Sequence, residues 1–416
     1  MTAAVARLDG ADWLREPPLR DLLAVLDAEG EEARVNGGAV RDALLGIELG
    51  DVDVAATALP EETTRRAMAA GWKVVPTGLE HGTVTVVISG KPFEVTTLRR
   101  DVETDGRRAT VAFTRDWAED AARRDLTING LFLSRDGVVH DHVGGLADLA
   151  ARRVRFIGDA RQRIREDYLR TLRFFRFHAR FAEGPPDAEG LAAAIAERDG
   201  LSLLSAERVR AELLKLLAAR GASETVAEMA GAGLLTPLVG GVPRTAHFAR
   251  FVDADREAPD ALLRLAALSQ FVSEDALRLK ERLRLSNAES RRLEAIGDMT
   301  PRLDPADEPA AKRALYRLGP QAYRDRARLT ALGGGDWNAA IALSDRWRAP
   351  KFPIAADDFK ALGLEGRALG RALKHAEEAW VEAGFPTGRA EIEALIEQAS
   401  SRPERSAEPG PSSEEG

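Results

Sequence analysis

Cysteine is absent from this 416-residue sequence. Its absence excludes disulfides, thiolate metal sites and a cysteine nucleophile. No run of about 18 apolar residues occurs, so no helical membrane span is expected. The first eighteen residues carry Asp9, Asp12 and Glu16 where a signal peptide needs an apolar stretch. A cytoplasmic location is the expectation. The six histidines, His81, His140, His142, His178, His247 and His375, lack metal-ligand spacing. His140-Asp141 has no companion ligands and reads as the end of a strand. No internal period appears, which excludes a solenoid of regular repeats.

The remaining composition is that of a soluble globular protein: 44% hydrophobic and 30% charged residues. The length suits two or three domains, or a compact head with an extended helical body. The net charge of −8 argues at first against a nucleic-acid partner. Its distribution argues otherwise, because residues 151–181 hold ten arginines against Asp159, Glu166 and Asp167. Such a stretch can hold a phosphate backbone, or it can be a solvated helix face.

Residues 1–18 read as a loose leader. The pattern then predicts a helix over 19–28, a short strand at 34–36 and a helix over 39–45. A strand over 51–57 and a helix from Pro60 to 70 follow, the proline sitting where its missing N–H costs nothing. Segments 82–89 and 92–98 are rich in Val, Ile, Thr and Phe, and the turn Ser89-Gly90-Lys91 predicts a hairpin. Residues 99–115 lack a period and read as a mobile loop. A helix from Asp116 and short strands near 131–134 and 138–141 complete the mixed part. Beyond 158 only helical spacing recurs, with one helix expected over 159–182. Segment 397–416 is polar and predicted disordered. The expected architecture is an α+β head over 19–157 with a mixed sheet. An all-α neck over 158–220 and an all-α body and tail over 221–396 complete it.

Asp51-Val52-Asp53 is the first chemical signal. On a strand, residues i and i+2 face one side, so both carboxylates point to one place. Paired carboxylates repel unless a cation joins them, and hard oxygen ligands suit Mg²⁺. Alone, the pair also fits a solvated strand end. Upstream stands Asn36-Gly37-Gly38-Ala39-Val40-Arg41-Asp42, a glycine pair entering a helix. Glycines let a phosphate approach the backbone, and a helix N-terminus offers free N–H groups. A phosphate cradle beside paired carboxylates is what metal-assisted nucleotidyl transfer requires.

With these residues in view, GGAVRDALLGIELGDVDVAAT resembles the signature of the tRNA nucleotidyltransferase and bacterial poly(A) polymerase family, within the polymerase-β-like superfamily. Four further blocks agree in order: RRDLTING (123–130), DHVGGLADL (141–149), GDARQRIREDYLRTLRFFRF (158–177) and AERVRAEL (206–213). Leu126, Gly130 and Ala160 depart from the family's usual Phe, Ala and Pro. The resemblance spans the N-terminal half, and the C-terminal half carries no matching motif.

The resemblance implies roles residue by residue. Asp51 and Asp53 bind two Mg²⁺ ions. Glu94 is a candidate third carboxylate, or simply a surface strand residue. Gly37, Gly38 and Arg41 hold the triphosphate, and Arg124, Asp125 and Asn129 meet phosphate and ribose. Asp167 and Arg170, three apart and so expected on one helical face, read the base of the incoming CTP or ATP. Glu166 positions Arg170, and Arg208 helps hold the neck. Arg173, Arg176 and Arg180 face RNA phosphates or solvent.

The implied partner is tRNA, met at its 3′ end and elbow, with no membrane and no DNA. The implied reaction is template-independent CCA addition. CC-only, A-only and poly(A) synthesis share the motifs and remain alternatives, as does an RNA-binding protein that has lost catalysis. The segment Gly78-Leu79-Glu80-His81-Gly82-Thr83-Val84 resembles the tRNA enzymes. Loop 99–115 resembles the one associated with switching to ATP.

Overall fold

The computed structural model describes residues 4–8, 11–78, 82–105, 108–297 and 303–400. It divides into two compact units that meet between Leu293 and Glu294. The expected head, the neck and the first part of the body all fall in the first unit.

The first unit begins with strand β1 (Ala4–Arg7) and helix α1 (Pro17–Leu26). Leu19, Leu22, Leu23 and Leu26 recur at i, i+3, i+4 and i+7, and all four are buried. Strand β2 (Ala33–Asn36), helix α2 (Gly38–Leu44) and strand β3 (Val54–Ala56) follow. Next come helix α3 (Pro60–Ala69) and strands β4 (Lys73–Gly78), β5 (Thr83–Ile88) and β6 (Lys91–Thr97). Strands β7 (Arg99–Asp105) and β8 (Arg108–Phe113) form a separate ribbon. Helix α4 (Trp117–Ala122) and strands β9 (Leu131–Leu133) and β10 (Val138–Asp141) complete the sheet, which helix α5 (Gly145–Ala150) follows.

The main sheet has eight strands in the order β1-β10-β9-β2-β3-β6-β5-β4. Strands β3 and β6 pair in parallel, and the other neighbours pair antiparallel. One core cluster joins Ala55, Leu98, Trp117, Ala121 and Phe132. Trp117 and Phe132 meet edge to face at 4.9 Å. Burying an aromatic ring of this kind contributes roughly 1.5–3 kcal/mol relative to exposure.

Several expectations need correction. The leader is not loose throughout, because β1 pairs with β10 in the register Ala4↔Asp141 to Arg7↔Val138. The strand after Asp51 is shorter than expected and starts only at Val54, so Asp51 and Asp53 sit on the approach to it. Residues 99–115 are chiefly a β-hairpin, with Arg99 opposite Phe113 and Asp105 opposite Arg108. A two-stranded ribbon is held by backbone pairing and needs no buried face, so its strands leave no apolar period. The helix over 159–182 is broken into α6 (Ala160–Glu166) and α7 (Leu169–Phe181).

The break falls at Asp167, whose backbone is extended (φ −156°, ψ 107°). Its Oδ1 accepts from the backbone N–H of Leu169 at 3.1 Å, which supplies a partner to the start of α7. Asp167 and Arg170 therefore do not share one helical face. Helices α8 (Ala188–Ala196) and α9 (Ala206–Leu217) pack behind α6 and α7.

Asp141, at the end of β10, accepts from the N–H groups of Val143, Gly144, Gly145 and Leu146 at 2.9–3.1 Å. Asp148 is fully buried and binds Thr127 Oγ1 at 2.7 Å and Arg155 Nε at 2.9 Å. The 141–149 motif thus braces the 123–130 motif. Gly130 has a local reason: a Cβ there would lie 2.6 Å from Val143 Cγ2.

The second unit is helical among its described residues. Its longest helix, Glu308–Ala331, is interrupted at Gly319 (φ 76°) before Pro320. Its larger core cluster gathers Phe359, Ala376, Trp380 and Val381. The last helix runs Arg389–Ser400, so residues 397–400 are ordered and not part of a disordered tail. Residues 401–416 lie outside the described residues, as do 79–81 of the segment compared with tRNA enzymes.

Candidate active site

A cleft of about 540 Å³ opens between the sheet and helix α7. Gly37, Gly38, Arg41, Asp53, Glu94, Arg124, Asp125, Asn129, Asp167 and Arg170 line it. Nine residues expected from three separate motifs, and Glu94 from strand β6, therefore meet in one place. Asp51, Glu166 and Arg208 do not line it.

The floor comes from parallel strands. Val54 of β3 pairs with Val95 of β6, which places Asp53 level with Glu94, one residue earlier in each chain. Along β6, Phe93, Val95 and Thr97 are buried, while Glu94 and Thr96 turn toward the cleft. Partial removal from water, then the charges of Glu94 and Asp51, raise the Asp53 carboxyl above its ordinary range; Arg124 opposes them. Among the described residues, no three His, Cys, Asp or Glu side chains form a metal cage. Mg²⁺ needs none, since it takes one or two carboxylates and completes its shell with substrate phosphates and water. An oxygen-only pair with a surplus of negative charge fits such an ion.

Gly37 takes φ 65°, ψ −118°, a conformation open to glycine. A Cβ on it would lie 3.4 Å from Arg124 Nη1, ordinary contact, so the backbone conformation rather than lack of room calls for glycine. The Gly37 N–H is already donated to Leu131 O at 2.9 Å, so an anion here would meet the N–H groups that follow.

Arg41 is almost wholly buried (5% exposed). Its Nε donates to Asp42 Oδ1 at 2.8 Å, its Nη1 donates to Asn129 Oδ1 at 2.5 Å, and it lies 4.2 Å over the Phe181 ring. Burial lowers its pKa, against Asp42, which raises it. Arg124 donates to Asp120 Oδ2 at 2.9 Å and to Asn36 Oδ1 at 3.0 Å. Asp120 is itself buried and also binds Arg123 at 2.8 Å.

Asp125 Oδ1 accepts from Leu126 N at 2.9 Å and Asn129 Nδ2 at 3.2 Å, and its Oδ2 accepts from Arg173 Nε at 2.7 Å. Asp167 Oδ2 accepts from Arg208 Nη2 at 2.6 Å. Arg170 donates to Glu166 and to Arg163 O, the latter at 3.1 Å. Burial raises the Glu166 carboxyl, but its bonds to Arg170 and Arg163 outweigh that and leave it lowered.

Two patterns describe the chain's relatives. The Poly A polymerase head domain matches residues 33–155. The probable RNA and SrmB-binding site of polymerase A matches residues 187–246. A mouse protein, CCA tRNA nucleotidyltransferase 1, mitochondrial, is 34% identical over 394 residues, covering 91% of this chain and 90% of its own. The chain belongs to the CCA-adding tRNA nucleotidyltransferase family. It is an enzyme of the nucleotidyltransferase class. The crystal structure of the Bacillus stearothermophilus CCA-adding enzyme in complex with CTP is similar, with TM-score 0.72 and 27% identity. It covers 92% of this chain and 98% of that one. The Thermotoga maritima CCA-adding enzyme, complexed with tRNA, shares the fold at TM-score 0.68 and 18% identity, over 96% of this chain and all of that one.

In this member of the family, the cleft also takes in Asn36, Thr96, Arg99, Arg123, Arg173 and Phe177, which sequence reasoning did not assign to it. Thr96 follows Glu94 by two on one strand, and Arg173 follows Arg170 by one helical turn. Those periods were the available signals. Arg173, Arg176 and Arg180 each lie beside a carboxylate, and Arg180 is also half exposed. Arg176 Nε donates to Glu212 Oε2 at 2.5 Å, and Arg180 lies 3.7 Å from Asp42.

Proposed function

We propose that the protein adds C, C and A in turn to the 3′ end of tRNA, using CTP and ATP and releasing pyrophosphate. The juxtaposition of Asp53 and Glu94 with Gly38, Asp125 and the Asp167–Arg170 pair in one cleft carries this reading. In the reaction the RNA 3′-hydroxyl gives up its proton to solvent, its oxygen bonds to the α-phosphorus and the α–β phosphoanhydride bond breaks. The electron pair leaves on pyrophosphate.

Asp51 and Asp53, with Glu94 beside them, would hold two Mg²⁺ ions, which would supply Lewis-acid chemistry when bound. The chain's own residues bind and orient. Backbone N–H groups after Gly37, with Arg124, meet the triphosphate. Arg41, already bonded to Asp42 and Asn129, contributes its positive field. Asp125 and Asn129 address the ribose hydroxyls. Asp167 accepts from the exocyclic amino group that cytosine and adenine share, and Arg170 donates to a ring nitrogen. Glu166 holds Arg170, and Arg208 holds Asp167. The helical body addresses the tRNA by shape and backbone, toward the elbow. Cytoplasmic residence rests on the sequence alone; a mouse relative is named mitochondrial, and cell fractionation tests it.

The test incubates the protein and Mg²⁺ with tRNA ending at the discriminator base. CTP alone gives two additions, and CTP with ATP gives three. Stopping at two with both nucleotides makes it CC-only, and an ATP tail makes it a poly(A) polymerase. Tight binding without incorporation makes it an RNA-binding protein. Shortening the β7–β8 hairpin is expected to impair A addition more than C addition. Equal loss of both removes the hairpin from nucleotide switching.

A further inference from the structure

Asp125 is the one expected ribose contact whose carboxylate is held by the neck. Its Oδ1 is filled by two donors from its own segment, Leu126 N and Asn129 Nδ2. Its Oδ2 is held by Arg173 Nε at 2.7 Å, across 48 residues of sequence. A carboxylate offers about four acceptor positions, so three donors leave one. Asp125 lines the cleft, and a hydroxyl donor there can take that position. Burial pushes the Asp125 carboxyl up, but the Arg173 charge and hydrogen bond outweigh it and hold the group below its ordinary range. Arg173 is held chiefly by Asp125: Glu212 lies farther off, at 4.0 Å, and is itself bound by Arg176.

We infer that Arg173 is a positioning residue for ribose selection, holding the Asp125 carboxylate aimed as an acceptor for the 2′-hydroxyl of the incoming nucleotide. The inference rests on the ribose role of Asp125 proposed above. Without the cation, a buried carboxylate takes up a proton or turns away. Either change weakens binding of a ribonucleotide and leaves a deoxyribonucleotide, which has no 2′-hydroxyl, untouched. A residue serving only architecture affects both alike.

The measurement is single-nucleotide addition to tRNA, with kcat/KM for CTP divided by that for dCTP. This ratio is taken within one preparation, so partial unfolding cancels. Arg173→Gln is expected to lower it by about tenfold or more, the effect of one hydrogen bond to a charged acceptor. The loss should appear chiefly in KM for CTP, with kcat/KM for dCTP falling much less than that for CTP. Arg173→Lys restores a cation and should bring the ratio back to within about threefold of wild type. If the glutamine variant does not fold, Arg173→Met is read in its place, since it keeps an unbranched apolar stem while removing the guanidinium that bonds Asp125 and lies over Phe177.

An unchanged ratio, or equal loss for CTP and dCTP, overturns the inference. Asp125→Asn separates the two levels. A ratio that falls there but not at Arg173 overturns the positioning role alone. A ratio intact in Asp125→Asn overturns the ribose reading itself.

Discussion

Asp53 and Asp125 line the same cleft, yet their surroundings push them in opposite directions. Asp53 is raised by burial and by the negative charges of Glu94 and Asp51. Asp125 is buried more deeply and still lowered, because Arg173 and its hydrogen-bond donors compensate it. The sheet side of the cleft thus keeps a surplus of negative charge, while the α7 side is matched, carboxylate to guanidinium. Fold stability alone would favour matching everywhere, since an uncompensated carboxylate is costly. A surplus of this kind is useful where a cation arrives with the substrate.

The sharpest way to break this contrast is to remove a charge from each side. Asp53→Ala should lower nucleotide addition by about a thousandfold or more, the several kcal/mol that metal-assisted catalysis supplies. Folding and tRNA binding should persist, as read by circular dichroism and a binding titration. Activity within about tenfold of wild type would sink the metal assignment.

Glu212→Leu acts on the matched side. It leaves the buried Arg176 without its partner and should cost about 3 kcal/mol of unfolding free energy in a denaturant titration. Activity per folded molecule should stay within about threefold. A cost below about 1 kcal/mol would mean that Arg176 finds another acceptor.

Asp167→Ala stands between the two, since Asp167 both accepts from the Leu169 N–H at the start of α7 and faces the cleft. It should lower the preference for CTP and ATP over UTP and GTP by about tenfold, the worth of one good base-edge contact. A stability loss of about 1 kcal/mol should accompany it. An unchanged preference would leave Asp167 with only its structural bonds to Leu169 N and Arg208.

The smallest effect is thermodynamic. A carboxyl raised in the folded state contributes stability that is complete below its unfolded pKa and lost as pH rises through the folded one. Asp53→Asn should therefore raise Tm in chelator at pH 7.5, by about 1–3 °C after allowance for solvent screening. The gain should vanish near pH 3, where the wild-type group is protonated. A lower Tm at pH 7.5 would show that Asp53 is compensated after all. Asp125 has the opposite sign, and its contribution is lost as pH falls.

Much of the site was legible because its signals are local. Gly37-Gly38 before a helix, Asp53 at the start of a strand and the alternation that turns Glu94 toward the cleft each depend on a few neighbours. The hairpin at 99–113 was read as a loop because backbone pairing can hold a ribbon without an apolar face. The break at Asp167 was missed because Asp167 ends one helix and supplies a side-chain acceptor to the next, and helical spacing continues across it. Arg173, Arg176 and Arg180 were left between RNA and solvent because an arginine does not state its partner.

By itself the sequence determined the family, the order of its motifs and the residue types that chemistry needs. Those follow from rules that reach one helical turn or one strand pair. Only the tertiary structure decided which carboxylates stay uncompensated. Asp125 meets Arg173 across 48 residues and Glu212 meets Arg176 across 36. Docking of α7 against the head and against α9 creates both pairs. A charge's effect depends on what packs around it, and no local spacing carries that information.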